Sequence, residues 1–212
     1  MTNKNVKKSV IYGVYSLGVI ALIGTIYLVE SSVSKNKFVE QDYSYVSKTI
    51  FDEVIPVIAT EEKIMKPYTD EDVKILKGYY DYKGEESNQK NAIIYYQNTY
   101  MQSSGVSYGK SDTFDVLAIL PGTVVDVKED ELLGNIVEIK HSDKVISVYQ
   151  SLSEVNVKKN DTVIQGQAIG KSGTSNIQTD LGNHIYFELI VNGTNVNPEE
   201  YYEKTLKEIE GE

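Results

Sequence analysis

The chain has 212 residues, of which 41% are hydrophobic and 25% charged, a balance that can bury a core and carry extensions beyond one domain. Its formal net charge of -10 excludes sequence-independent binding of nucleic acid, which needs lysine and arginine to displace counterions from phosphate. It holds no cysteine, which excludes a disulfide framework, a thiolate zinc site and a thiol nucleophile.

Residues 1–8, "MTNKNVKK", form a basic tail. The uncharged run from Ser9 to Val29, "SVIYGVYSLGVIALIGTIYLV", has about the 20 residues that a helix needs to cross a bilayer. It is longer than the apolar region of a signal peptide, and no small-x-small cleavage site directly follows. Lys4, Lys7 and Lys8 before it and Glu30 after it put the tail in the cytoplasm and the rest outside.

Residues 30–105 read as a connector. Phe38, Tyr45, Ile50, Phe51 and Val54 recur near helical spacing and predict a stalk helix. Pro56 and Pro67 break any long helix, and "KGEESNQKN" at 83–91 reads as a loop. Tyr79, Tyr80, Tyr82, Tyr95, Tyr96 and Tyr100 are expected to cover a sheet face, with an aromatic ligand platform as the alternative.

From about residue 106 the texture changes to short β-rich runs, "DVLAIL", "GTVVDVKED", "NIVEIKH", "KVISVYQ", "DTVIQGQAIG" and "HIYFELIVNG", split by glycine, aspartate and asparagine. That spacing predicts a sandwich or barrel, so the chain is mainly β. Asn197 before Pro198, followed by two glutamates, starts a short acidic helix that closes the chain through 201–212. "GVSYGKS" and "GQAIGKS" end like a phosphate-binding loop, but each has three residues between its glycines instead of four, so neither cradles phosphate.

Taken in order, "FDVLAILPGTVVDV", "GNIVEIKHSDKVISVYQSLSEVNVKKNDTVIQGQAIGKSGTSN" and "LGNHIYFELIVNGTNVNP" resemble the LytM-type module of the M23 zinc metallopeptidases over residues 106–200. The resemblance implies a β-sheet groove with a metal at its floor. Active members carry His-x-x-x-Asp, Tyr-x-His-Leu and His-x-His, and the first and last of these supply three zinc ligands. A catalytic zinc needs three protein ligands and a water whose pKa falls to about 7.

By that register the ligand positions fall on Ser111, Asp115 and Tyr186, and the catalytic positions on Ser151 and His184. One ligand of three survives, and a phenol with a pKa near 10 is a poor replacement for imidazole. No histidine precedes His141, so no shift of register restores the first motif. Asp115, His184 and His141 have the atom types for another metal site, but the register sets His141 at a strand end, away from the other two. The expectation is a noncatalytic module with no cofactor, in which His184 and His141 are structural.

As a whole the chain resembles the stage II sporulation Q family of forespore membrane proteins. That resemblance implies an outer domain in the space between forespore and mother cell, paired with a stage III sporulation AH-like mother-cell membrane protein. Peptidoglycan and further copies of the chain, in a ring, are the other candidate partners. A cell-wall-binding regulator and an active endopeptidase are the alternative functions, the latter disfavoured by the missing ligands.

Overall fold

The computed structural model describes residues 62–211. The expected basic tail, membrane helix and stalk helix lie outside the described residues. Among those described, no helix is long and apolar enough to cross a membrane.

Alternation of apolar and polar residues builds most of the strands. In order they are β1 (Lys74–Lys77), β2 (Ile93–Tyr96), β3 (Thr99–Gln102), β4 (Val106–Gly109), β5 (Asp115–Leu117), β6 (Gly122–Asp130), β7 (Gly134–Lys140), β8 (Val145–Val155), β9 (Thr162–Val163), β10 (Ala168–Ser172), β11 (His184–Val191) and β12 (Thr194–Val196). Two short helices, α1 (Glu86–Asn91) and α2 (Leu206–Glu210), complete the set. The fold is mainly β, as the sequence predicts.

Ten strands form one sheet with the path β1-β4-β11-β8-β7-β6-β9, to which β10 adds through β8, β5 through β10, and β12 through β11. The connector thus supplies an edge strand, β1, to the sheet that holds β4 through β12. Only β2 and β3 stand apart, as a two-stranded hairpin.

The core lies on one face of this sheet. Ile185, Phe187, Leu189 and Val191 point inward from β11, and Val145 and Tyr149 from β8, so Phe187 meets Tyr149 with ring centroids 5.1 Å apart. Ile136, Val148 and Ile190, on the opposite face, form a second, smaller apolar cluster. The same face carries a row across four strands, Asp126, Glu138, Val148 and Glu188, set side by side by the ladders.

Both phosphate-loop look-alikes are strands here, β4 and β10, and neither leads into a helix. The stretch read as a loop contains α1 instead. The closing helix also differs from expectation: Pro198–Glu200 forms a 3-10 turn capped by Asn197, Glu203 takes φ +67°, and α2 restarts at Thr205 with a capping box to Glu208. Half-buried Tyr202, in the break, packs against the core, its hydroxyl 2.7 Å from that of Tyr108.

Candidate functional site

Strand β11 carries the site, because residues two apart on a strand share a face. His184, Tyr186 and Glu188 therefore line up on the side away from the core, between β4 and β8. Tyr186 lies opposite Ser107 on one side and Gln150 on the other.

His184 is fully buried. Its backbone exchanges two hydrogen bonds with Gly173, at 2.7 and 3.1 Å. A carbonyl can only accept, so Nδ1–H donates to the Gly182 oxygen at 2.8 Å. Nε2 is then the acceptor facing the Ser175 hydroxyl at 3.3 Å. Burial pushes the imidazole pKa down, opposed by the Gly182 bond and Asp180.

Tyr186 reaches a different place. Its hydroxyl lies 3.1 Å from Ser104 Oγ and 3.4 Å from Ser103 Oγ, in the loop between β3 and β4. Ser104 donates its own proton to Glu188 Oε1 at 2.5 Å, so the phenol is the donor to Ser104. Glu188 also accepts from Asn195 Nδ2 at 3.1 Å and from Gln150 Nε2 at 3.2 Å. The result is a directed chain, Tyr186 to Ser104 to Glu188, with two amides closing it. Burial first, and Glu188 second, push the phenol up to about 12, and burial raises the Glu188 carboxyl despite its three donors.

The loop can lie this close because residue 105 is glycine. A Cβ there would stand 2.3 Å from the Phe187 carbonyl oxygen.

Ser151, also buried, sits within β8 at φ +65°, and its N–H donates to the Leu133 carbonyl at 2.9 Å. It lies beside the 173–175 segment that touches His184. A Cβ on Gly173 would meet the Ser151 carbonyl at 2.8 Å, so glycine is required for this approach.

Ser111 is exposed in the loop before β5. Asn183 pins that loop by donating Nδ2 to the Asp112 and Lys110 carbonyls at 2.7 and 3.3 Å, and its Oδ1 accepts from Ser172 at 3.1 Å. Asp115 instead pairs with Lys171 at 2.9 Å, with both side chains largely exposed. His141 stands elsewhere, donating from Nδ1 to Pro121 at 2.9 Å and meeting the Ser147 hydroxyl with Nε2 at 2.7 Å.

His184 and Tyr186 thus share one face of β11 but bond to different segments, His184 to Gly182 and Ser175 and Tyr186 to the Ser103–Ser104 loop. Among the described residues, no three His, Asp or Glu side chains converge as a metal-holding group. Sequence reasoning missed Ser104, Glu188, Gln150 and Asn195. Glu188 had a signal, since His184-x-Tyr186-x-Glu188 places all three on one strand face; the loop residues had none.

Residues 101–198 match Peptidase family M23. Stage II sporulation protein Q of Bacillus subtilis strain 168 is 36% identical over 196 residues, covering 90% of this chain and 69% of that protein. The chain belongs to the stage II sporulation protein Q family. In a solved structure of the SpoIIQ-SpoIIIAH pore forming complex, a chain of 39% identity superposes with a TM-score of 0.69, covering 71% of this chain and 98% of that one. A zinc containing peptidase from Vibrio cholerae, 22% identical with a TM-score of 0.52 over 64% of this chain and 39% of its own, shares the fold alone.

Proposed function

We propose that the protein is a noncatalytic, membrane-anchored scaffold of endospore formation. Its outer domain binds a stage III sporulation AH-like protein of the mother-cell membrane across the intermembrane space, in support of engulfment and a channel through both membranes. Residues 9–29 would anchor it in the forespore membrane with residues 1–8 in the forespore cytoplasm, residues 30–105 would connect, 106–200 would form the M23-like module, and 201–212 would close it.

The observation that carries this reading is the extent of the kinship: 90% of the chain, beyond the peptidase-like module, aligns with a sporulation protein whose family has been solved with a partner. The donor set supports it. Ser111, Asp115 and Tyr186 do not fit a catalytic zinc, because the phenol is a donor to Ser104, Asp115 is neutralised by Lys171, and a serine hydroxyl is no match for imidazole. With no metal-bound water, His184 has nothing to activate, and its two ring nitrogens already serve Gly182 and Ser175.

The test is binding of the detergent-solubilised full chain to the outer domain of an AH-type partner, with and without a chelator. The scaffold reading expects saturable binding that the chelator leaves unchanged. Absence of binding at high micromolar concentration, or binding that needs added metal, contradicts it.

A further inference from the structure

The ten-stranded sheet has an open side at each end. β1 pairs with β4 alone, and among the described residues no backbone hydrogen bond reaches its other side. Its two apolar residues are exposed, Ile75 by 49% and Leu76 by 40%. At the far end β9 pairs with β6 only at Gly122 and Thr123, and Asn160 and Asp161 bond Val124. Beyond that point residues 126–130 have β7 on one side and no described strand on the other. Near β1, Lys77 Nζ donates to the Ile93 carbonyl at 2.9 Å and so holds the β2–β3 hairpin. That hairpin turns Tyr95 and Tyr100, 54% and 74% exposed, to solvent, so the expectation that these tyrosines cover a sheet face fails for both.

Strand direction makes the two open sides match. Every pair of neighbours in the path β1-β4-β11-β8-β7-β6 is antiparallel, so β1 and β6 run in opposite directions. A second copy set beside the first in the same orientation therefore brings its β1 antiparallel to β6. The alternation continues across the junction, and the core faces of both copies lie on the same side. Segment 126–130 is long enough for all 4 residues of β1.

Charge selects this pairing over the others. Lys74–Lys77 reads Lys-Ile-Leu-Lys, with no acid, whereas residues 126–130 read Asp-Val-Lys-Glu-Asp, three acids and one lysine. The ladders place Lys74 and Lys77 opposite Gly109 and Ser107, on the face that holds His184 and Tyr186. Asp126, in the row with Glu138 and Glu188, lies on that same face, and strand alternation adds Asp130. Like charges set across an edge repel, so β1 against β1 and β6 against β6 are both disfavoured. Only β1 against β6 brings opposite charges together. It also covers Ile75, which lies on the core side opposite Tyr108, as Val127 does in β6.

We propose that a second copy of this chain adds its β1 to the open side of β6 beyond Val124, so that the sheet runs on from copy to copy. The contact is heterologous: it generates a closed ring where the rotation between copies closes, and a filament where it does not. All copies keep one orientation, as copies anchored in one membrane must. The contact uses neither the AH-type partner nor a metal, so its failure leaves the scaffold reading untouched.

The chain has no cysteine, so one can be placed on each edge. Ile75→Cys and Glu129→Cys change exposed residues on the core-side face. Detergent-solubilised full-length proteins, each shown by thermal melting to be folded, are treated with a short bismaleimide, alone and mixed. The proposal expects cross-linked dimers in the mixture and next to none in either protein alone. It expects a several-fold loss when the Ile75→Cys protein also carries Lys74→Glu, recovered when the Glu129→Cys protein carries Asp126→Lys. Wild type gives a second reading without substitution: a carbodiimide, which joins an amine to a carboxylate in contact, should couple Lys74 or Lys77 of an isotope-labelled copy to an acid within 126–130 of an unlabelled one. Equal cross-linking in the single proteins, a yield that Lys74→Glu leaves unchanged, or no coupling by either reagent at high micromolar concentration overturns the proposal.

Discussion

The Tyr186 hydroxyl lies 3.1 Å from Ser104 Oγ, so the side chain two positions beyond His184 is committed to a loop across the sheet and not to a shared ligand with the histidine. Tyr186→Phe removes the donor of that bond while keeping the ring. The expected cost is about 1 kcal/mol, and Tyr186→Ala, which also opens a cavity, costs about 3 kcal/mol or more. Urea unfolding midpoints measure both. A phenylalanine variant as stable as wild type would show that the Tyr186 to Ser104 to Glu188 chain contributes nothing to stability.

The two histidines give a spectroscopic prediction. Both donate from Nδ1 to a backbone carbonyl, Gly182 for His184 and Pro121 for His141. Burial lowers the pKa of both rings, taking His141 down to about 4. Long-range nitrogen–proton NMR at pH 7 should find two neutral rings, each protonated on Nδ1. Because the folded-state pKa of His141 lies below its unfolded value, its contribution to stability is intact above about pH 6.5 and is lost as pH falls toward 4. Protonation of either ring near pH 6.5 contradicts the geometry.

Ser151 holds φ +65° inside a long strand, a conformation that costs an L-residue about 1 kcal/mol and glycine almost nothing. Ser151→Gly should raise stability by about 0.5–1 kcal/mol, whereas Ser151→Val, β-branched and buried, should lower it by more than that. Chemical denaturation of the three proteins gives the order directly, and an order with valine at or above serine would contradict the strained backbone.

The cross-strand row of acids makes stability depend on pH. Burial first, and Asp126 second, raise the Glu138 carboxyl to about 7; Glu188 pushes the same way, and Lys128 and Lys159 oppose. The folded state therefore holds this proton more tightly than the unfolded one. The contribution of Glu138 to stability is thus fully present below about pH 4.5 and is lost as pH rises through about 7. Glu138→Gln should gain stability relative to wild type as pH rises from 5 to 8, measured by urea midpoints at both values. A gap that stays constant across this range is the contrary outcome.

Much of the sheet was legible because its strands alternate: "HIYFELIV" alone announces an inward set, Ile185, Phe187, Leu189 and Val191, and an outward set with His184 and Tyr186. What escaped was decided between distant segments. α1 has no apolar stripe to reveal it; it is held by the Lys90–Glu86 ion pair at 2.7 Å and by Gln89, whose amide gathers the carbonyls of Asp81, Tyr82 and Gly84. The hairpin turn has no glycine, and strand propensity is the same for an exposed tyrosine as for a packed one, so the faces of Tyr95 and Tyr100 could not be read. At the site, the spacing of His184 and Tyr186 put them on one face, but Ser104 meets Glu188 from 84 residues away, a contact that local pattern does not encode.

The most direct test of a peptidase-type module that works without a metal is the zinc content of the purified full chain after incubation with zinc and dialysis, measured beside the variant Ser111→His/Ser151→His/Tyr186→His. The account predicts wild type with far less than one equivalent, and zinc retained only by the variant. Stoichiometric zinc in the wild type would contradict it and return an endopeptidase to the front.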